Sequence, residues 1–155
     1  PYTIQQLKSG FSLVKALSIK HSSNVLLQHK TTNYWENILA KTQATTANYD
    51  DAYFLNEQGY VTETAVANIF IICKNIIYTP PIKNGLLPGT LRSQILTAKL
   101  PLEVHEHSIS EAKFLAADLV FITNSLIGLV PIKKINNISF DTSNKIFQQL
   151  STYLS

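Results

Sequence analysis

Alternating apolar and polar residues predict several strands in the first half of the chain. Residues 11–19 alternate and are rich in strand-forming residues, so they predict the first strand, and residues 25–28 predict a short second one. Residues 51–66 predict a β-hairpin with a glycine in its turn. Residues 68–78 predict two more strands around a turn at Lys74-Asn75, so this half of the chain is mostly strand.

Segments with helical spacing of apolar residues are interspersed with these strands. Thr31 or Thr32 is predicted to cap a helix that ends near residue 46, and Trp35, Ile38 and Leu39 share one face of it. Further helices are predicted at residues 89–100, 110–117 and 142–153. Further strands are predicted at residues 102–105 and 119–123. The pattern therefore indicates a mixed α/β protein.

Composition narrows the class of protein. A length of 155 residues suits one domain with a real core, and 45% apolar with 15% charged residues suits a globular chain. The net charge of +3 contains no basic block, which argues against nucleic-acid binding, and no apolar run approaches the roughly 20 residues of a membrane span. Cys73 is the single cysteine, which agrees with a reducing cytoplasm. His105 and His107 flank Glu106 without an evident third ligand, so no metal site is predicted.

Lys30 is the first candidate for chemistry. It lies between the apolar segment 25–28 and the predicted helix that follows. Partial burial and the positive end of the helix would both disfavour the ammonium form. A neutral amine is what attacks an aldehyde to form a covalent bond. Most lysines before a helix are surface residues, so the surrounding motifs decide whether this one is functional.

Glu63 is the second candidate. Its neighbours in the strand are small or apolar, which predicts that its carboxylate is buried. A buried carboxylate needs a positive partner to stay ionised. The position therefore suits a carboxylate that pairs with a cationic ligand.

Two turns are candidates for binding an anion. Residues 87–91 lead into a predicted helix, whose first N–H groups have no partner within the helix. Gly89 in this turn allows an anion to approach closely. The turn that follows the strand 119–123 offers Asn124 and Ser125.

Four segments together resemble the large domain of the class IV aminotransferase family, the pyridoxal-phosphate enzymes of fold type IV. They are HKTTNYWENILA, VTETAVANIF, TPPIKNGLLPGTLR and ADLVFITNSLIG. The most specific match is the family pattern met by Glu63, Ala65, Asn68, Ile69 and Phe70. The resemblance covers roughly residues 11–135 and implies an α/β pseudo-barrel of mixed strands surrounded by helices.

The resemblance also implies an organisation for the protein. Residues 1–155 would be a single large domain that binds pyridoxal 5'-phosphate, and the smaller N-terminal domain of the family would be absent from this chain. The active site would lie between the two domains and near the interface of a homodimer. The partners implied are a small-molecule substrate and a second subunit, in the cytoplasm.

Roles for single residues follow from the same resemblance. Lys30 would carry the cofactor and move the substrate Cα proton, Glu63 would pair with the pyridinium nitrogen, and Tyr34, one helical turn after Lys30, would hydrogen-bond the ring oxygen. The other cofactor contacts would be Gly89, Thr90, Leu91, Asn124 and Ser125. The family more often has an aliphatic residue where Thr90 lies, with threonine next, so the hydroxyl that reaches the phosphate is left open.

Three functions are compatible with these motifs. The segment FITNSLIGLVPI looks most like 4-amino-4-deoxychorismate lyase, which makes 4-aminobenzoate and pyruvate. Tyr34 favours a branched-chain or D-amino-acid transaminase. The missing N-terminal part motivates the third hypothesis, an inactive fragment that retains only the fold.

Overall fold

A computed structural model describes residues 2–32 and 34–154, and its main feature is one sheet of ten strands. The strands are β1 (Phe11–Lys15), β2 (Asp51–Leu55), β3 (Tyr60–Thr64), β4 (Asn68–Cys73), β5 (Ile76–Thr79), β6 (Val104–Glu106), β7 (Ile109–Ser110), β8 (Leu119–Asn124), β9 (Gly128–Ile135) and β10 (Ile138–Ser139). Six of them close into a barrel in the order β4-β8-β9-β1-β2-β3, because β3 pairs back onto β4. The pairs β9–β1 and β1–β2 are parallel and the other pairs of the barrel are antiparallel. The predicted α/β pseudo-barrel is confirmed.

Helices surround this barrel. They are α1 (Ile4–Ser9), α2 (Trp35–Thr46), α3 (Thr90–Thr97), α4 (Glu111–Leu115) and α5 (Lys145–Leu154), with short 3-10 helices at Val25–Gln28 and Ile82–Asn84. The predicted cap of α4 is confirmed, since the Ser110 hydroxyl accepts the N–H of Lys113 at 3.2 Å. The predicted turn at Lys74-Asn75 is confirmed as well, with both residues at positive φ.

Two apolar layers explain why the central strands are continuous runs of large residues. All six barrel strands contribute to one buried cluster, to which β4 supplies Ile69 and Ile71. The alternate residues of β4, Phe70 and Ile72, belong to a second cluster that includes Ile95 of α3 and residues of α5. Strands buried on both faces lose the apolar–polar alternation of half-exposed strands.

Some predicted elements are wrong. Residues 25–28 form a 3-10 helix rather than a strand, because the Asn24 side chain accepts the N–H of Leu26 and begins a helical turn. The strand predicted at residues 11–19 ends at Lys15. Helix α2 begins at Trp35, later than a cap at Thr31 or Thr32 requires, and no side chain of the described residues caps it.

The apolar face of α2 points away from the barrel. Trp35, Ile38 and Leu39 are 69%, 50% and 63% exposed. The buried face consists of Ala40 and Ala44, which pack in a cluster with residues of β1 and β2. Small side chains let the helix approach the sheet closely, so the larger residues remain on its outer side.

Candidate functional site

All the residues predicted to bind the cofactor line one cavity of about 520 Å³. They are Lys30, Tyr34, Glu63, Gly89, Thr90, Leu91, Asn124 and Ser125. Its walls come from the segment before α2, the end of β3, the loop that enters α3, and the turn after β8. The fold thus brings together four segments that are far apart in the sequence.

Glu63 is buried in the wall of this cavity, as predicted. The residue is 7% exposed, and its Oε2 accepts the backbone N–H of Leu87 at 3.1 Å. Burial raises the pKa of Glu63 to about 7, although the Leu87 N–H and the charge of Lys20 both act to lower it. The carboxyl group therefore changes protonation near neutral pH and responds to any cation placed beside it.

Leu87 is held on both sides by the Glu63 motif. Glu63 pairs with Asn68 across the β3–β4 ladder, so the two side chains lie close together. Glu63 accepts the N–H of Leu87, and the Asn68 Nδ2 donates to the Leu87 carbonyl at 2.8 Å. Two side chains of the most specific motif in the sequence thus fix the loop that leads into α3.

The position of the Asn68 side chain also explains the glycine at position 89. A Cβ on Gly89 would lie 2.1 Å from the Asn68 Oδ1, which is far too close. Gly89 is also the residue before α3 and has no side chain with which to cap it. The first N–H groups of α3, from Thr90 and Leu91, therefore stay available to an anion in the cavity.

Asn124 organises the turn after β8, which also lines the cavity. Its Oδ1 accepts the N–H groups of Leu126 and Ile127 at 2.8 and 2.9 Å, and its Nδ2 donates to the Val66 carbonyl at 2.9 Å. The side chain thereby links this turn to the β3–β4 connection. The Asn124 side-chain amide is engaged in these bonds. Ser125 is therefore the residue of the turn that is better placed to bind a ligand through its side chain.

Lys30 and Tyr34 lie in the cavity for reasons other than those predicted. Lys30 is exposed, and α2 begins only at Trp35, so the argument from burial and a helix dipole is wrong for this chain. Tyr34 precedes the helix, so it is not one helical turn from Lys30. Burial, with a smaller contribution from the negative charge of Glu63, raises the pKa of the half-buried Tyr34. Tyr34 therefore keeps its proton and can donate a hydrogen bond.

Lys20 is a residue of this region that the sequence did not reveal. It is 2% exposed, and its Nζ lies 2.7 Å from the Asn37 Oδ1, 3.1 Å from the Glu36 Oε2 and 4.0 Å from the Glu63 Oε1. Lysine is almost never fully buried without a partner. Its position at the end of a short apolar run gave no sign that it lies beside Glu63.

The described residues contain neither a candidate membrane-spanning helix nor a metal-binding cluster. Within residues 2–32 and 34–154, no helix has the length and apolar character needed to cross a membrane. The same residues contain no group of three or more His, Cys, Asp or Glu side chains that could hold a metal ion. His105 instead lies 3.1 Å from the Glu103 carboxylate.

Comparison with known sequences gives relatives over most of the chain. A family model for amino-transferase class IV matches residues 2–135. The branched-chain-amino-acid aminotransferase of Escherichia coli (strain K12) is 30% identical over 108 residues, which are 68% of this chain and 35% of that protein.

Comparison with solved structures gives the same barrel. The crystal structure named "Putative 4-amino-4-deoxychorismate lyase" from Legionella pneumophila has a TM-score of 0.92 at 36% identity, covering 99% of this chain and 57% of that one. The branched-chain aminotransferase of Thermoproteus uzoniensis, crystallised with norvaline, has a TM-score of 0.87 at 28% identity, covering 93% of this chain and 50% of that one. The chain therefore spans well under two thirds of the length of each of these relatives.

Proposed function

Because the chain belongs to the class IV aminotransferase family, we propose that it is the large domain of a pyridoxal-phosphate lyase that converts 4-amino-4-deoxychorismate to 4-aminobenzoate and pyruvate. The observation that carries the proposal is the convergence of all eight predicted residues on one cavity. The choice of a lyase is supported by the Legionella protein, which is 36% identical over nearly the whole chain.

The residues of the cavity fit pyridoxal phosphate. A volume of about 520 Å³ lies within the usual range for small-molecule sites. The cavity combines the amine of Lys30, the buried carboxyl group of Glu63, and the N-terminus of α3, which suits an anionic phosphate. When bound, the cofactor supplies an aldehyde carbon for covalent attachment and a ring that stores negative charge from the substrate Cα.

Each side chain has a defined task in this proposal. The Lys30 Nζ would hold the cofactor at its aldehyde carbon and, once the substrate amine has displaced it, would move the proton at the substrate Cα. Glu63 holds the ring nitrogen in its protonated form, and Tyr34 donates a hydrogen bond to the ring oxygen. The N–H groups that follow Gly89 bind the phosphate, together with the Ser125 turn. The role of the Asn124 side chain is to shape that turn, because its polar atoms already bond to the backbone.

Chemical trapping tests the attachment site. The complete protein is incubated with pyridoxal phosphate, reduced with borohydride, digested, and mapped by mass spectrometry. We expect the reduced cofactor on the peptide that contains Lys30. An adduct on another lysine, or none, would contradict the assignment. Lys20 lies only ten residues away, so the digestion must separate the two.

A transaminase is the second candidate function. The presence of Tyr34 in the cavity favours it, as does the similarity to proteins named branched-chain aminotransferases. The two activities differ in their need for a second substrate. A lyase restores its starting state in each turnover, whereas a transaminase given only an amino donor stops after half a cycle.

Product analysis separates the two candidates. The complete protein is mixed with 4-amino-4-deoxychorismate alone and, separately, with branched-chain and D-amino acids alone. Steady release of 4-aminobenzoate without a keto-acid acceptor supports the lyase. Conversion of the cofactor to pyridoxamine phosphate by an amino acid, without 4-aminobenzoate from the first mixture, would support the transaminase. An absence of both reactions would contradict both candidate functions.

Assembly and compartment are part of the same proposal. We propose a homodimer, which the resemblance favours, in the cytoplasm, with which the single cysteine agrees. Sedimentation velocity of the complete protein measures its mass in solution, and cell fractionation measures its compartment. A monomer at micromolar concentration, or recovery with membranes, would contradict this part.

A further inference from the structure

Lys20 is a buried cation to which the proposed reaction gives no task. Its Nζ lies 3.1 Å from Glu36 and 4.0 Å from Glu63, so it is shared between two carboxylates. It also lies 4.4 Å from the centre of the Phe54 ring, a contact that stabilises a cation. Removing a lysine from water is costly unless its charge is used, which makes this position informative.

Lys20 is also connected to the backbone next to Glu63. Its Nζ donates to the Asn37 Oδ1 at 2.7 Å, and the Asn37 Nδ2 donates to the Ala65 carbonyl at 2.8 Å. This chain of bonds joins the first turn of α2 to the residues that follow Glu63 in the sequence. A second cavity of about 120 Å³ lies beside Lys20, Glu36 and Glu63. Lys20 therefore approaches Glu63 from a side that the larger cavity does not include.

Burial is the largest influence on the pKa of the Glu63 carboxyl, and four groups act on it in addition. Lys20 and the Leu87 N–H favour its ionised form, whereas the negative charges of Glu36 and Asp51 disfavour it. Tyr34 is near enough for its own pKa to respond to Glu63. Lys20 is the only full positive charge among the groups that act on this carboxyl in the described part of the chain.

We propose that Lys20 is a positioning residue that favours the ionised form of Glu63 and holds one of its carboxylate oxygens in place, with Glu36 limiting the strength of this effect. The inference rests on the proposed function, in which Glu63 must be a carboxylate in order to hold a protonated ring nitrogen. Glu36 limits the attraction, because it lies closer to the Lys20 Nζ than Glu63 does. The cluster thus sets the pH at which Glu63 gains a proton.

Titration of Glu63 in the cofactor-free protein tests the inference directly. Carboxyl carbons of glutamate are labelled with ¹³C, and the Glu63 signal is assigned as the one lost in Glu63→Gln. In Lys20→Met, which keeps an apolar stem over Phe54, we expect the Glu63 midpoint to rise by about one pH unit or more. In Lys20→Arg, which keeps the charge, we expect the midpoint to return toward that of the unmodified protein.

Glu36→Gln provides a test with the opposite sign. Removing the competing negative charge should lower the Glu63 midpoint, partly because Glu36 itself acts on Glu63. The double variant Lys20→Met/Glu36→Gln leaves no unpaired carboxylate at position 36, so it keeps the inference testable if Lys20→Met does not fold. Its Glu63 midpoint should lie above that of Glu36→Gln, because only the charge of Lys20 differs between them. Lys15→Met serves as the matched control, because Lys15 pairs with Glu111 at 3.0 Å and is not among the groups acting on Glu63.

The outcomes separate the inference from the proposed function. The inference would be overturned by an unchanged Glu63 midpoint in Lys20→Met, by equal shifts in Lys20→Met and Lys20→Arg, or by equal midpoints in Glu36→Gln and the double variant. These measurements need no cofactor, so they stand even if borohydride trapping fails to label Lys30. Trapping at Lys30 with no Lys20 effect would keep the proposed function and reject the role of Lys20.

Discussion

Two of the four segments that line the cavity are built in different ways. One, the Glu63 wall, consists of Glu63, Asn68 and the Leu87 backbone, which are joined by strand pairing and by hydrogen bonds of 2.8 and 3.1 Å. The other, the lysine segment, consists of residues 28–30 and Tyr34, and it begins at the last residue of a 3-10 helix rather than after a strand. Glu63 is buried, whereas Lys30 is exposed.

This difference indicates which parts of the site the fold alone can organise. The groups assigned to the ring nitrogen and the phosphate are fixed by the barrel and by the start of α3. The amine assigned to covalent attachment lies on a segment whose side chains largely face outward. Changes in the Glu63 wall should therefore affect both stability and activity, whereas changes in the lysine segment should affect activity alone.

Lys30→Ala should produce the largest effect and separate the two walls most clearly. Turnover by the complete protein should fall by at least about 10²–10⁴-fold, the usual contribution of proton transfer alone. The melting temperature of the cofactor-free protein should stay the same, because Lys30 is exposed. Lys99→Ala, at another exposed lysine that does not line the cavity, is the control and should change neither quantity. A lower melting temperature in Lys30→Ala would show that the lysine segment is structural.

Glu63→Gln should shift stability and activity in opposite directions. The pKa of Glu63 is raised from 4.5 to about 7 in the folded chain, so ionisation destabilises the fold increasingly as pH rises from 4.5 to 7. The variant should therefore be more stable than the unmodified cofactor-free protein at pH 8, by up to about 3 kcal/mol, and equally stable at pH 4. Turnover should fall by about 10²–10³-fold, since a neutral amide cannot hold the ring nitrogen protonated.

Chemical denaturation at the two pH values measures the stability difference. Glu57→Gln is the matched control, because hydrogen bonds from Ser22 lower the pKa of this exposed carboxyl. Ionisation of Glu57 contributes to folding stability with the opposite sign, since a group whose pKa is lowered by folding stabilises the fold at pH values above its unfolded-state pKa. Equal stability of Glu63→Gln and the unmodified protein at both pH values would show that ionisation of the buried Glu63 does not destabilise the fold.

Asn68→Ala and Gly89→Ala should be coupled. Asn68→Ala leaves the Leu87 carbonyl without its partner and should cost about 1–3 kcal/mol of unfolding free energy. Gly89→Ala alone should destabilise the protein, because the new Cβ would meet the Asn68 Oδ1. In the double variant this collision is removed, so the combined loss should be smaller than the sum of the single losses. Additive losses would show that Asn68 and Gly89 act independently.

The smallest effect is expected on the outer face of α2. Ile38→Ser should change the unfolding free energy by no more than about 0.5 kcal/mol, because the side chain is half exposed. Ala44→Leu on the buried face should cost about 1–3 kcal/mol, because the added methylenes do not fit against the sheet. A large loss in Ile38→Ser would indicate that this face is covered in solution.

The elements that the sequence predicted well are those defined by local chemistry. The hairpin of β2 and β3, the turn between β4 and β5, and the Ser110 cap depend on residues only a few positions apart. Strand β9 was not predicted, and its Pro131 is a residue that usually argues against a central strand. Its pairing with β1 comes from the closed barrel and not from its own composition.

The site likewise contains features that depend on local sequence and features that depend on contacts between distant residues. The positions of the predicted residues follow from short motifs, and all of them reach the cavity. The burial of Lys20 could not be predicted, because it depends on Glu36, Asn37 and Glu63 meeting after the chain folds. The exposure of Lys30 was also missed, because the helix expected to follow it directly begins at Trp35.

The closed ring of strands determines when the domain can fold during protein synthesis. Strand β1 pairs with β9, which brings Phe11 beside Ile132. The first strand to be synthesised therefore cannot complete its pairing until one of the last strands has been made. Contacts between residues this far apart in sequence form slowly, because a long loop must close before they give any stabilisation. A nascent chain that ends before β9 already contains the Glu63 motif, but it cannot form the closed barrel that holds this motif in place. Assembly of the cavity is therefore a late event, coupled to the emergence of the C-terminal third of the domain.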